Sequence, residues 1–146
     1  MQGLKRNHRE HRVINNFTLC SPKEYPLKGV TEKIISCCIE VHSNLGPGLL
    51  ENIYEEAVAY EFELRKIRYE RQKQIQLMYK GKEIGFHKID FLIEDKVILE
   101  IKAVEGINEI FKAQLLTYLK AMDKKVGLLI NFNVLRLKEG IRRLIL

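Results

Sequence analysis

The chain has few cysteines and no long apolar run, and each shortage excludes a class of protein. It has three cysteines in 146 residues, two of them adjacent at Cys37 and Cys38, which form neither a disulfide framework nor a metal-ligand spacing. No apolar run approaches the ~18–20 residues of a membrane span. The basic start of the chain is not followed by the apolar segment of a secretory signal. We therefore expect a cytoplasmic protein with reduced thiols and no membrane association.

Length and charge indicate one globular domain with a basic lead-in. A chain of 146 residues with a hydrophobic share of 46% can bury a single core. Residues 1–28 hold six lysines and arginines against two glutamates, a net of +4, which leaves +2 of the total +6 for residues 29–146. Such a tail is typical of non-specific phosphate binding and equally of an irregular terminus. We expect residues 1–28 to be a tail or irregular lead-in and residues 29–146 to form the domain.

The hydrophobic period predicts the order of elements. Apolar residues at 3–4 spacing predict helices over residues 31–45, with Thr31 as its cap, and 49–66, with Pro47 placed for the first turn of the second helix. Period-2 patterns predict strands over 69–79, 83–93 and 97–104, followed by a helix over 107–122 and a buried strand over 126–131. Residues 144–146 are compatible with a last strand. The order α, α-β-β-β-α-β predicts an α/β fold with a mixed sheet flanked by helices and an extra N-terminal helix.

Two acidic residues and a lysine interrupt the otherwise apolar second hairpin. If residues 94–96 form a three-residue loop, Asp90 lies opposite Glu100, and Lys102 lies on the same face; a two-residue loop would offset the carboxylates. Strand alternation puts Ile89 and Phe91 on the other face. Paired carboxylates suit a hard divalent ion such as Mg²⁺, which would activate water and neutralise charge on a phosphate, with Lys102 positioning or deprotonating that water. An ordinary amphipathic hairpin with a polar surface cluster is the competing interpretation, because E-x-K is common in strands.

Three helical residues extend this hypothesis. Glu51 lies in the first turn of the second predicted helix, where the helix dipole also favours a carboxylate. Gln114 falls within the apolar stripe of the last helix, with Tyr118 one turn away on the same face. A buried amide needs partners, so Gln114 is either a rim residue or a side chain that holds catalytic water or the phosphate backbone.

Several motifs resemble one family. Gly48-Leu-Leu-Glu51-Asn-Ile-Tyr54 is similar to the signature of the GxxExxY family, and so are Asp90…Glu100-Ile-Lys102, the helix segment at 113–119 and Gly127–Phe132. The motifs occur in order over about four-fifths of the chain. That family is grouped with the PD-(D/E)XK nucleases, so the resemblance implies a restriction-endonuclease-like core. Ile89 stands where the superfamily name has proline, and residues 1–28 have no counterpart.

The resemblance implies roles for the matched positions. Asp90, Glu100 and Glu51 would hold the metal ion and, with Lys102 and Gln114, form the catalytic set, while Gln114 and Tyr118 would contact the substrate. We expect a Mg²⁺- or Mn²⁺-dependent nuclease that hydrolyses phosphodiester bonds of DNA, and by analogy a homodimer. The alternative is a non-catalytic module that binds nucleic acid or protein and retains the nuclease fold, which the modest charge of residues 29–146 favours.

Overall fold

Helices pack on both sides of a single sheet. The computed structural model of the chain describes residues 26–146, so the predicted tail lies outside the described residues except for its last three. In chain order the elements are α1 (Lys28–Leu45), α2 (Glu51–Leu64), β1 (Tyr69–Tyr79), β2 (Lys82–Ile93), β3 (Val97–Lys102), α3 (Glu109–Met122), β4 (Val126–Asn131), a 3₁₀ helix (Leu137–Gly140) and β5 (Ile141–Ile145). The predicted order of elements is confirmed, and β5 adds the last strand.

The sheet is mixed and its strands follow chain order from β1 to β5. Only β3 and β4 are parallel, as expected of two strands joined through the helix α3, and the other neighbours are antiparallel. Pairing of Ile93 with Val97 leaves residues 94–96 as a three-residue loop. The predicted register of the second hairpin is therefore observed. The predicted α/β fold, a mixed sheet flanked by helices, is therefore confirmed.

The two sides of the sheet bury separate apolar clusters. The apolar stripes of α1 and α2, including Ile34 and Phe62, pack against Phe91 and Leu99 on one side. On the other side Leu115 of α3 packs against a second set of sheet residues: Ile75, Ile89, Leu92, Ile98, Leu129 and Leu144. Strands β3 and β4 are thus covered on both faces, which explains why they are nearly all apolar.

All three helix starts differ from the sequence prediction, and α3 begins at Glu109 rather than at residue 107. Helix α1 begins at Lys28 rather than Thr31, and the Thr31 hydroxyl donates to the Lys28 carbonyl at 3.1 Å inside its first turn. Helix α2 begins at Glu51, so Pro47 lies before the helix and not in its first turn. Between the helices, Gly46 and Gly48 have φ angles of 69° and 99°. These backbone angles suit glycine and prevent a helix from starting there.

The predicted face of Ile89 was also wrong. Ile89 packs with the α3 cluster, whereas Phe91 packs with the cluster under α1 and α2. Simple alternation along β2 would put Ile89 and Phe91 on one face of the sheet, because they are two residues apart. The faces change at Gln72 and Asp90, which the regular pairing of β1 with β2 skips, and Gln72 has a φ of 53° there. No helix within residues 26–146 is long and apolar enough to cross a membrane.

Candidate functional site

Strands β2 and β3 separate where their two carboxylates meet. Their backbone pairing ends at Phe91 and Leu99. One step further, the Asp90 N–H donates to Glu100 Oε2 at 2.8 Å and the Ile101 N–H donates to Asp90 Oδ2 at 2.8 Å. Each side chain therefore takes the place of a backbone acceptor on the opposite strand. We call Asp90 and Glu100 the carboxylate pair. Both strands fix the pair, and each carboxylate has a second oxygen that accepts no hydrogen bond from the opposite strand.

Burial and repulsion make the carboxylate pair hard to ionise. Burial raises the pKa of Glu100 to about 8, and the adjacent Asp90 charge adds to the effect. Burial likewise raises the pKa of Asp90 to about 6, against the opposing effect of the Ile101 N–H. Two desolvated carboxylates share one proton at neutral pH unless a cation enters. Perturbed acids in such an arrangement are typical of functional sites.

Within the described residues, Lys102 is the positively charged side chain that favours ionisation of both Asp90 and Glu100. It ends β3, two residues beyond Glu100, and its charge lowers the pKa of Glu100 and of Asp90, although less than burial raises them. Its Nζ lies 4.7 Å from the centre of the Phe111 ring on α3. The ring face stabilises the ammonium and restricts where it can point. Lys102 is therefore close enough to both carboxylates for its charge to act on them.

Glu51 reaches the same end of β3 from α2. As the first residue of that helix it accepts a hydrogen bond from the Ala103 N–H, 3.3 Å from its Oε2, and its charge raises the pKa of Glu100 and Asp90. The loop before it is tied to the helix by Tyr54, whose hydroxyl donates to the Gly46 carbonyl at 2.5 Å and accepts from the Leu49 N–H at 3.1 Å. Two residues of the Gly48–Tyr54 motif, Glu51 and Tyr54, thus hold the segment between α1 and α2 beside the end of β3.

Glu55 and Gln72 are site neighbours that the sequence did not indicate. Glu55, one turn after Glu51 and buried, accepts from Arg71 Nε at 2.6 Å and from Gln72 Nε2 at 2.9 Å. The same Gln72 nitrogen lies 3.3 Å from Asp90 Oδ1. Gln72 therefore bridges α2 to the carboxylate pair. Spacing of four residues from Glu51 was the available signal for Glu55, whereas nothing in β1 distinguished Gln72 from its neighbouring glutamines.

The two predicted residues of α3 are placed differently. Tyr118 is buried near the carboxylate pair: burial, and then the charges of Glu100 and Asp90, raise its pKa to about 12. Its hydroxyl lies 3.0 Å from His87 Nδ1, a partner that the sequence did not indicate. Gln114 is half-buried and makes no hydrogen bond with any residue in the described part of the chain. Its amide is thus open to a ligand, but no contact joins it to the carboxylate pair.

A buried asparagine holds the segment that follows Lys102. Asn131, at the end of β4, accepts from the Val104 N–H at 3.0 Å and donates to the Val104 carbonyl at 2.9 Å. Its Oδ1 also accepts from the Asn133 N–H at 3.1 Å. Because the side chain satisfies both backbone groups of Val104, the chain leaves β3 in one fixed direction beside the site.

The donor set of the site fits a hard divalent ion. Within residues 26–146 no three histidine, cysteine or acidic side chains form a ready-made metal cage, which is unlike a structural zinc site. Mg²⁺ instead binds through one or two carboxylates and completes its shell with water and substrate phosphate. The carboxylate pair supplies those two groups, with Glu51 near enough to join directly or through water.

Comparison with known proteins agrees with this arrangement. A family model described as the PD-(D/E)XK nuclease superfamily matches residues 28–144, most of the chain. Nucleases of that superfamily generally use divalent metal ions, and their substrates are nucleic acids. No curated protein matches the chain.

Proposed function

The chain belongs to the PD-(D/E)XK nuclease superfamily, and from that premise we propose that it hydrolyses phosphodiester bonds of DNA with Mg²⁺ or Mn²⁺. The observation that carries the proposal is the carboxylate pair, buried, cross-linked to the opposite strand by two 2.8 Å hydrogen bonds and accompanied by Lys102. A surface cluster would gain nothing from burying two repelling acids, because unpaired buried charge costs several kcal/mol.

The proposed mechanism assigns a task to each residue. Asp90, Glu100 and Glu51 would hold the metal ion, whose chemistry is to activate water and to neutralise charge on the phosphate. Lys102 holds the attacking water against the phosphate and hydrogen-bonds to the oxygens that become more negative in the transition state. Gln114 presents its open amide to the phosphate backbone. Tyr118 contacts the substrate beside the pair, held there by its hydrogen bond to His87.

We also propose the narrower GxxExxY family for this chain. Supporting this, Gly48 has the positive φ that favours glycine, Glu51 begins the helix beside the site and Tyr54 ties the intervening loop to that helix. Residues 29–146 would form the nuclease domain, preceded by the tail 1–28. A cytoplasmic enzyme agrees with the two free, buried thiols at Cys37 and Cys38, and we propose a homodimer by analogy with small nucleases that span a duplex.

The test is a cleavage screen with matched variants. Labelled single-stranded, duplex and branched DNA, and RNA of the same sequence, are incubated with Mg²⁺, Mn²⁺ or a chelator. We expect metal-dependent cleavage that Lys102→Met lowers by about 100-fold or more, the usual size of an acid–base or electrostatic contribution. Lys125→Met, an exposed lysine before β4, is the control and should leave the rate unchanged. Full activity of Lys102→Met, or no metal-dependent cleavage of any substrate, would overturn the proposal.

A binding module without catalysis is the second candidate. The small net charge of residues 29–146, +2 after the tail is subtracted, favours it because nucleases hold a polyanion. It predicts nucleic-acid binding that depends on salt and is indifferent to divalent metal. Binding of this kind by both wild type and Glu100→Gln, without cleavage by either, would support the module.

A further inference from the structure

His87 lies on the same side of the sheet as Glu100. It pairs with Ile75, which belongs to the α3 cluster, and opposed residues of an antiparallel pair share a face. Glu100 follows Ile98, another residue of that cluster, by two positions on β3, so alternation turns its side chain toward α3 as well. The change of faces at Asp90 therefore brings His87 to the side of the sheet where the site lies.

A hydrogen bond and a ring contact fix the imidazole of His87. Its Nδ1 lies 3.0 Å from the Tyr118 hydroxyl, and the two rings meet edge to face, with centroids 5.7 Å apart and planes at 76°. Tyr118 keeps only 4% of its surface exposed and packs in the α3 cluster. The orientation of the His87 ring is therefore set by α3 as well as by its own strand.

The Tyr118 hydroxyl determines which nitrogen of His87 carries a hydrogen. Burial raises the pKa of Tyr118 to about 12, so the hydroxyl keeps its proton at neutral pH. Within the described residues its hydrogen-bond partner is His87. Because a buried O–H needs an acceptor, it donates to Nδ1 of a neutral imidazole and leaves the ring hydrogen on Nε2. A protonated imidazole carries hydrogen on both nitrogens, so Nε2 is a donor in either charge state.

Nε2 of His87 has no acceptor in the described part of the chain. The Tyr118 hydroxyl is the one hydrogen-bond partner of His87 there, and the side chain is exposed. Since the two ring nitrogens point in nearly opposite directions, Nε2 faces away from Tyr118. A histidine that only tied β2 to α3 would need Nδ1 alone. A donor held in a fixed direction without a partner is instead prepared to bind an acceptor from outside the chain.

The neighbours of His87 place that acceptor beside the proposed metal site. Tyr118 is close enough to the carboxylate pair for the charges of Glu100 and Asp90 to raise its pKa further. Gln114, one turn before Tyr118 on α3, adds a second open donor. Two open donors at the edge of such a site suit the phosphate oxygens of a strand held there, because charged oxygens are strong acceptors.

Charge and spacing indicate a phosphate beside the scissile one. Glu83, the one acid of residues 73–89, pairs with Met78 on the other face, so the α3 side of these strands presents no acid to repel an anion. His87 precedes Asp90 by three residues, about 10 Å of strand at about 3.4 Å each. Within residues 26–146 no histidine joins acidic side chains in a metal cage. His87 therefore meets the substrate next to the metal ion and not as its ligand.

We propose that His87 binds the substrate strand through its Nε2–H, which donates to a phosphate next to the scissile one. The Tyr118 hydroxyl holds the ring with this hydrogen outward. Held on one side of the scissile phosphate, the strand is aligned with the carboxylate pair and Lys102. The site is the one under Proposed function, so the identity of the substrate rests on that proposal, whereas binding by His87 is measured without cleavage.

Two substitutions of His87 separate binding from support of the strand. The amide of glutamine reaches the position of Nε2, whereas the shorter asparagine reaches that of Nδ1. His87→Gln therefore keeps the outer donor and loses the bond to Tyr118, and His87→Asn does the reverse. Binding of fluorescein-labelled DNA of about 20 nucleotides, single-stranded and duplex, is followed by anisotropy in chelator. We expect His87→Asn to weaken binding by about 10-fold to 100-fold, the loss of one hydrogen bond to a charged acceptor, and His87→Gln by less than about threefold.

Thermal unfolding should give the opposite order. His87→Gln loses the hydrogen bond to Tyr118 and should lower Tm by about 4 °C, whereas His87→Asn should stay within about 2 °C of the wild type. Gln74→Ala is the control, because Gln74 is exposed and pairs with Lys88 on the other face of the sheet. It should change neither DNA affinity nor Tm.

The outcomes separate this proposal from the proposed activity. Weaker binding by His87→Gln than by His87→Asn, equal effects of the two variants on binding, or no binding by the wild type would overturn it. If the wild type cleaves DNA and His87→Asn binds and cleaves as the wild type does, this proposal fails and the nuclease stands. If the wild type cleaves nothing but His87→Asn loses binding that His87→Gln keeps, the nuclease fails and His87 remains a residue that binds nucleic acid.

Discussion

Replacing Glu100 by glutamine should stabilise the metal-free protein at alkaline pH. The folded protein holds a proton on Glu100 up to about pH 8, whereas the ordinary pKa of a glutamic acid is 4.5. The folded state therefore binds more protons than the unfolded state between these pH values, and wild-type stability falls as pH rises through that window. Glutamine is neutral throughout and can still accept the Asp90 N–H, so the variant avoids this loss.

The size of the effect follows from the shift. The pKa of Glu100 rises from 4.5 to about 8, a difference of about 3.5. At about 1.4 kcal/mol for each pKa unit, the stabilisation by Glu100→Gln can reach at most roughly 5 kcal/mol. Water can enter where the strands separate, and we expect about 2 kcal/mol in practice. For a chain of this size that is an increase in Tm of roughly 6 °C.

The assay is thermal unfolding of both proteins in chelator from pH 4 to pH 9. Plots of Tm against pH should coincide near pH 4, and the Tm of Glu100→Gln should be higher than that of the wild type at pH 8. Glu139→Gln, an exposed glutamate of the 3₁₀ helix, is the control and should follow the wild type. A variant that is less stable than the wild type at pH 8, or that has the same pH profile, would refute the reasoning that the carboxylate pair is electrostatically strained.

Three further variants test the neighbours of the site. Arg71→Met leaves the buried Glu55 carboxylate without its 2.6 Å partner and should lower the free energy of unfolding in urea by about 3 kcal/mol. Tyr54→Phe keeps the ring but removes the hydroxyl that ties down the loop before Glu51, so we expect a loss of about 1 kcal/mol and a lower cleavage rate. Gln72→Leu removes the amide bridge to the pair; kcat should fall while KM for DNA changes little, and equal kcat would contradict a positioning role.

The sequence predicted the parts of the site that depend on local spacing. A three-residue loop sets the register of the second hairpin, so the opposition of Asp90 and Glu100 could be calculated from residue numbers alone. Glu51 could be placed at a helix start because the glycine-proline segment before it must break the helix. Each of these arguments uses only neighbouring residues and fixed geometry.

The parts that could not be predicted depend on contacts between distant segments. The faces of β1 and β2 change at Gln72 and Asp90, where Gln72 has a positive φ, so Ile89 was placed on the wrong side of the sheet. No local pattern indicates such a backbone angle in a polar strand. The partners Arg71 and His87 likewise depend on how β1 and β2 lie against the helices, which tertiary packing decides and periodicity does not.

Metal binding by the carboxylate pair is the central claim, and calorimetry of Mn²⁺ at pH 8 tests it most directly. The titration is made with and without a phosphorothioate oligonucleotide that resists cleavage, so that a shell completed by substrate phosphate is also detected. We predict that the wild type binds Mn²⁺ and releases protons as the pair ionises, and that Asp90→Asn binds none. Undiminished binding by Asp90→Asn, or no binding by the wild type under either condition, would contradict the account.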